Sequence, residues 1–133
     1  MALQVYESGT QTMTTTTQTL NTDHIKGKIL KVQIVASAST DFHLWVDASD
    51  TGTKAIVDED IVGTSSSKVT VNTTLTIYPV VAQYVGSTNA ITDPDQFSPP
   101  VVDDILKVSV ANGAKDDTWS IVIWYDDMSG RTN

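Results

Sequence analysis

The chain has 133 residues, no cysteine and a formal net charge of −8. This length suits one domain, and the composition excludes disulfides, thiolate metal sites and cysteine nucleophiles. Thr, Val and Ile number 20, 16 and 10 against 6 Leu and 2 Glu, an excess of β-branched side chains that fit a pleated surface better than a helix.

Residues 1–24 contain the polar tract SGTQTMTTTTQTLNTDH, whose only apolar side chains are Met13 and Leu20. Such a stretch holds too little apolar surface to fold alone, so it is expected to be an extended N-terminal arm that contacts another subunit or another external surface, or, as the alternative, folds back along the edge of its own sandwich as an extra strand. Val5, Tyr6, Met13 and Leu20 are its sizeable apolar anchors, spaced too widely for an amphipathic helix. From Ile25 the pattern becomes alternation. Leu30, Val32, Ile34 and Ala36 predict one face of a strand; Phe42, Leu44 and Val46 predict the inner face of the next, with His43 and Trp45 on its outer face. DASDTGT (47–53) is a turn cluster leading to a strand over 54–58. GTSSS (63–67) precedes the cleanest alternation, with Val69, Val71, Thr73, Leu75 and Ile77 on one side.

Pro79 restricts its neighbourhood to an edge or a bend, and Val80–Val85 reads as a short strand. Residues 86–100 hold three of the four prolines and predict a long loop. Strands follow over 101–110, with Leu106 and Val108 inward, and over 118–125, with Ile121 and Ile123 inward. The expected architecture is all-β, an antiparallel β-sandwich, jelly-roll-like or another Greek key, over residues 25–127, with a short tail at 128–133.

Chemistry is sparse. The two histidines, His24 and His43, lie in no catalytic or zinc motif, and no Gly-rich phosphate loop or nucleophile elbow occurs. No catalytic residue and no cofactor is expected. Asp doublets at strand ends read as turn and solubility devices. Asp47 and Asp50, with the Thr51-Gly52 turn, could gather oxygens around calcium, but the spacing is not that of an EF-hand and an Asx-type turn uses the same residues. The aromatic residues Trp45, Trp119, Trp124, Tyr78 and Tyr84 could form a carbohydrate platform or pack in the core and at interfaces. Trp119 and Trp124 have odd separation and cannot share one face of a regular strand.

The acidic balance, 14 Asp and 2 Glu against 7 Lys and one Arg, repels phosphate backbones and anionic lipid, so neither nucleic acid nor a membrane is an expected partner. No apolar run approaches the ~18 residues of a membrane span. The opening Met1–Ser8 lacks the basic and apolar parts of a secretory leader, and synthesis in the cytoplasm is expected.

The polar N-terminal stretch, the opening strand GKILKVQIVAS, the segment SPPVVDDILKVSVANG and the closing TWSIVIWYDD together resemble small β-sandwich virion structural proteins of tailed phages, of the head decoration or cement type. The resemblance spans Gly27 to Asp127. It implies a non-enzymatic protein on the capsid exterior, a homo-oligomer, typically a trimer, bound to the major capsid protein or other virion proteins. Within that expectation Val5, Tyr6, Met13, Leu20, His43 and Trp45 are the interface candidates. A carbohydrate-binding module, or a receptor-binding or tail component of the same fold, is the alternative.

Overall fold

The structure, a computed structural model, describes residues 2–46, 59–82 and 97–128. Every regular element among these is a strand: β1 Leu3–Glu7, β2 Gln11–Thr12, β3 Gln18–Ala36, β4 Thr40–Val46, β5 Glu59–Val62, β6 Val69–Val71, β7 Thr74–Ile77, β8 Val81–Ala82, β9 Phe97–Ser98, β10 Val101–Ala111 and β11 Thr118–Asp127. Nine belong to one sheet, in the order β1-β11-β3-β10-β4-β5, with β2 also on β11, β6 on β4 and β7 on β3. β8 and β9 form a separate pair. Each of these pairings is antiparallel. The all-β, antiparallel expectation describes this chain. The predicted strand at 54–58 lies outside the described residues, and the predicted loop is interrupted by β9.

The 19-residue β3 organises the sheet. Its first part pairs with β10 and its second with β11, while β7 lies along the other edge of Val32–Val35. Two register irregularities interrupt its alternation. In the first, Ile105 opposes His24 and Lys107 opposes Asn21. There the N–H of Leu106 donates to the Thr22 hydroxyl at 3.0 Å, and that hydroxyl donates to the Asp23 carbonyl at 2.7 Å. The buried Thr22 thus satisfies a backbone group beside the irregularity. In the second, Trp124 opposes Lys31 and Tyr125 opposes Ile29, which leaves Leu30 as an extra residue. A bulge shifts the phase by one. Ile25 and Ile29 are consequently buried on one side of it and Val32, Ile34 and Ala36 on the other, while Leu30, expected in the core, is only half-buried.

The alternation from Val69 to Ile77 also divides. Thr73, at φ 137°, lies in a region that β-branched residues rarely adopt. It separates β6, paired with β4, from β7, paired with β3. The chain turns a corner where an unbroken strand was expected. Val71 is fully buried; Val69, Leu75 and Ile77 pack against the core from its margin.

From Leu3 the N-terminal stretch runs along the sheet as added strands, the alternative to an external strap. β1 and β2 hydrogen-bond to β11, and β3 begins at Gln18, so it runs through the expected boundary at residue 24/25. The polar side chains need no core of their own because the backbone completes ladders already supplied by β10 and β11. The Ser8 hydroxyl extends this fit: it accepts the Ile121 N–H at 2.9 Å, while the Ser8 N–H donates to the Ile121 carbonyl at 3.0 Å. At the centre of the core Phe42 and Trp119 meet edge to face, with ring centroids 5.7 Å apart.

Candidate functional site

The outer face of β4 carries the densest group of functional side chains. His43 and Trp45 are two residues apart and project to the same side. Their rings stack in parallel, with centroids 5.1 Å apart. Across the sheet, His43 opposes Ser109, and Trp45 opposes Lys107 on β10 and Asp60 on β5. His43 Nε2 lies 2.5 Å from Asp60 Oδ1, the Trp45 indole N–H donates to Ser109 Oγ at 3.0 Å, and Lys107 Nζ lies 5.6 Å from the centroid of the Trp45 ring.

This geometry corrects one expectation. His43 was expected on an outer surface, yet it is only 2% exposed. It does point away from Phe42 and Leu44, but Trp45 lies over it and Asp60 closes its side. Trp45 remains half-buried and Asp60 has the more open carboxylate. A buried imidazole, an open carboxylate and a half-buried hydroxyl occur here together. Among the described residues, however, the carboxylate contacts the histidine while the serine oxygen accepts from an indole. The hydrogen bonds hold the face together and direct no hydroxyl at the imidazole. The other histidine, His24, makes an exposed 2.6 Å contact with Asp103 on the β3–β10 face.

The anchors expected in the N-terminal stretch separate into three kinds. Met13 is 1% exposed and belongs to the core, which corrects its assignment as an external contact. Its backbone bonds to Asp116 and Asp117 turn it inward. Tyr6 and Leu20 are partly buried and pack against that core. Of the four, Val5 alone is exposed, at 45%, beside Leu3 at 53%.

Val5 continues across the sheet into a second surface. It opposes Trp124 on β11, which opposes Lys31 on β3. Lys31 Nζ lies 4.6 Å from the Trp124 ring centroid, a cation–π contact. On the same face, Val35 is exposed beside a cavity of about 230 Å³ bordered by Thr10, Ser37, Thr118 and Ser120. The Ser37 hydroxyl accepts the Thr118 N–H at 2.9 Å. Hydroxyls line this recess, and no titratable side chain borders it.

Titratable behaviour is concentrated elsewhere. Hydrogen bonds from Thr70 Oγ1 and Asn112 Nδ2, each 2.6 Å, hold the Asp41 carboxyl below its ordinary value. Burial raises Tyr6 and Tyr125, and the nearby Asp23 carboxylate raises both further. Among the described residues, no group of three or more His, Asp or Glu side chains is placed to hold a metal. Asp47 and Asp50, the calcium candidates, lie outside the described residues, as does Tyr84. Trp119 is core, which removes it from any exposed aromatic platform. No described helix is long and apolar enough to cross a membrane.

No protein-family model matches the chain, and no match was found among curated proteins or solved structures.

Proposed function

We propose that the protein is a non-enzymatic virion structural protein, a decoration or cement protein on the capsid exterior. It is made in the host cytoplasm and works as a homo-oligomer bound to the major capsid protein or to other virion proteins. The observation that carries this reading is a stiff antiparallel sheet that leaves large apolar side chains exposed on several strands and connections: Leu3, Val5, Val35, Tyr78, Val101 and Ile105. Exposed apolar side chains on a rigid scaffold suit contact with another protein surface. The resemblance of the stretch from Gly27 to Asp127 to phage decoration proteins supports the same reading, and the negative charge favours the outside of a DNA-filled shell.

We further infer a jelly-roll-like or other Greek-key sandwich. The β6–β7 connection supports it by carrying the chain from β4 past β10 to β3, two places away in the strand order.

The carbohydrate-binding alternative rests on Tyr78, exposed by 67%. Trp45 and Trp124 each have a lysine near one ring, which leaves them less available as stacking platforms.

The decisive experiment is quantitative mass spectrometry of purified particles from the source culture, combined with surface labelling. Stoichiometric, surface-accessible protein is expected. Its absence from particles would overturn the proposal, and specific glycan binding by the free protein, lost in Tyr78→Ala, would favour the alternative.

A further inference from the structure

We propose that the open edge of β1 is a homotypic interface, pairing antiparallel with β1 of a second copy about a twofold axis through Val5. The β1–β11 ladder fixes which backbone groups are available. The Asp127 N–H donates to the Ala2 carbonyl at 2.8 Å, and the Ser8 N–H donates to the Ile121 carbonyl at 3.0 Å. The register between these ends is continuous. Hydrogen-bonded and non-hydrogen-bonded pairs alternate in an antiparallel ladder. Gln4 and Tyr6 therefore direct their backbone groups toward β11, while Leu3, Val5 and Glu7 direct theirs toward the opposite edge. Among the described residues, no strand pairs with that edge.

The edge is self-complementary. Centring two copies on Val5 sets Val5 against Val5, and Leu3 against Glu7 in both directions. All three outward-facing residues of each strand then exchange N–H and C=O groups. The same register keeps the two Glu7 carboxylates from facing each other, which matters for a chain with a net charge of −8. Charge is also balanced locally: this face carries Lys31 near Trp124 as well as Glu7. At the other end of the strand order, β5 carries the exposed acid Asp60. Edges are usually protected by lysine, proline or a bulge. β1 has none of these, and its outward side chains Leu3 and Val5 are apolar and exposed. Pairing joins the Val5–Trp124 stripes of the two copies into one apolar surface. Strand addition by a second copy is the occupant that fits.

This inference stands on edge geometry and does not require the virion reading. The test uses the full chain in multi-angle light scattering and native mass spectrometry over a concentration series. The expected result is a species of twice 14.3 kDa, tightened by added salt because the copies are both acidic. Val5→Lys sets two like charges opposite each other, and a loss of affinity of about tenfold or more is expected with an unchanged circular dichroism spectrum. Hydrogen exchange on the unmodified chain supplies an independent measurement should that variant fail to fold. The Val5 amide becomes protected as concentration rises, while the Gln4 and Tyr6 amides are protected throughout. A monomer at every concentration, an oligomer whose mass ignores Val5→Lys, or concentration-independent exchange at Val5 would overturn the inference. A trimer insensitive to Val5→Lys would do so while leaving the virion reading intact.

Discussion

The sulfur of Met13 fills the space beside Gly113 where any other residue would carry its β-carbon. The backbone holds the two segments in the same relationship. The Met13 N–H donates to the Asp117 carbonyl, and the Met13 carbonyl accepts the Asp116 N–H, both at 2.8 Å, while the Gly113 N–H donates to the Thr16 carbonyl at 3.2 Å. The Thr-rich stretch is thereby locked onto the turn between β10 and β11.

Gly113→Ala should displace the methionine side chain and destabilise the protein by about 1–3 kcal/mol. Met13→Ala removes the obstruction but leaves a cavity, at about 2–5 kcal/mol. Combining them should cost less than the sum, because the new methyl group occupies part of the vacated space. Urea denaturation of the four proteins checks this. An additive double variant would mean that the two residues do not share that space.

The phase of the strands predicts unequal truncations. Ile123 is fully buried, and Ile123→Ala should cost about 2–5 kcal/mol. Leu75 lies on the short strand β7, opposite Ile34, and is only partly covered, so Leu75→Ala should cost less than about 2 kcal/mol. Equal losses in denaturant titrations would contradict the difference in burial.

Asp60→Ala withdraws the partner of the buried His43 Nε2. An unpaired buried polar group costs about 1–3 kcal/mol, so a loss in that range is expected. The fluorescence of the stacked Trp45 ring should change with it. Full stability in the variant would show that the imidazole finds another partner.

Acid should weaken the protein partly through Asp41. Its carboxyl sits below the ordinary 3.8 because Thr70 and Asn112 donate to it. The associated stability is present above the unfolded value and is lost as pH falls through the lower folded one. Asp41→Asn should remove this component of the acid dependence and reduce stability at neutral pH by about 1 kcal/mol. An unchanged acid profile would rule out the contribution.

Alkali should act through the tyrosines. Tyr6 and Tyr125 are both raised above 10.0, chiefly by burial. Their contribution is complete below the unfolded value and is lost as pH rises through the folded one. Thermal melts should fall more steeply above about pH 10 in the unmodified chain than in Tyr6→Phe/Tyr125→Phe. Parallel curves would exclude these residues as the source.

The all-β class was legible because alternation survives within each strand segment: Phe42, Leu44 and Val46 are buried together, as are Leu106, Val108 and Val110. What alternation could not reveal was where its phase changes. Leu30 fits the inward pattern when β3 is treated as regular, and only the pairing of β11 on both sides of it exposes the bulge. The Thr-rich stretch left two readings open, a strap on a neighbour or an added edge strand, for a related reason. Side-chain polarity hides backbone complementarity, and Ser8 or Thr22 can complete a ladder without bringing an apolar face. His43 was placed correctly as opposite Phe42 and Leu44, but its cover depends on Trp45 and on Asp60, a residue 17 positions away. The self-complementary edge of β1 was invisible for the same reason, since the direction of its N–H groups is set by β11.

The strand order also bears on how the protein is made. β11 lies between β1 and β3, so a central strand of the sheet is the last of the described strands to be synthesised. At ordinary synthesis rates, on the order of ten seconds separates the emergence of Glu7 from that of Asp127. Throughout that interval the first strand has no intramolecular partner, and the inner side of β3 lacks Ile121 and Ile123. Completion of the sheet therefore waits for β11, on which β1 and the second part of β3 both depend.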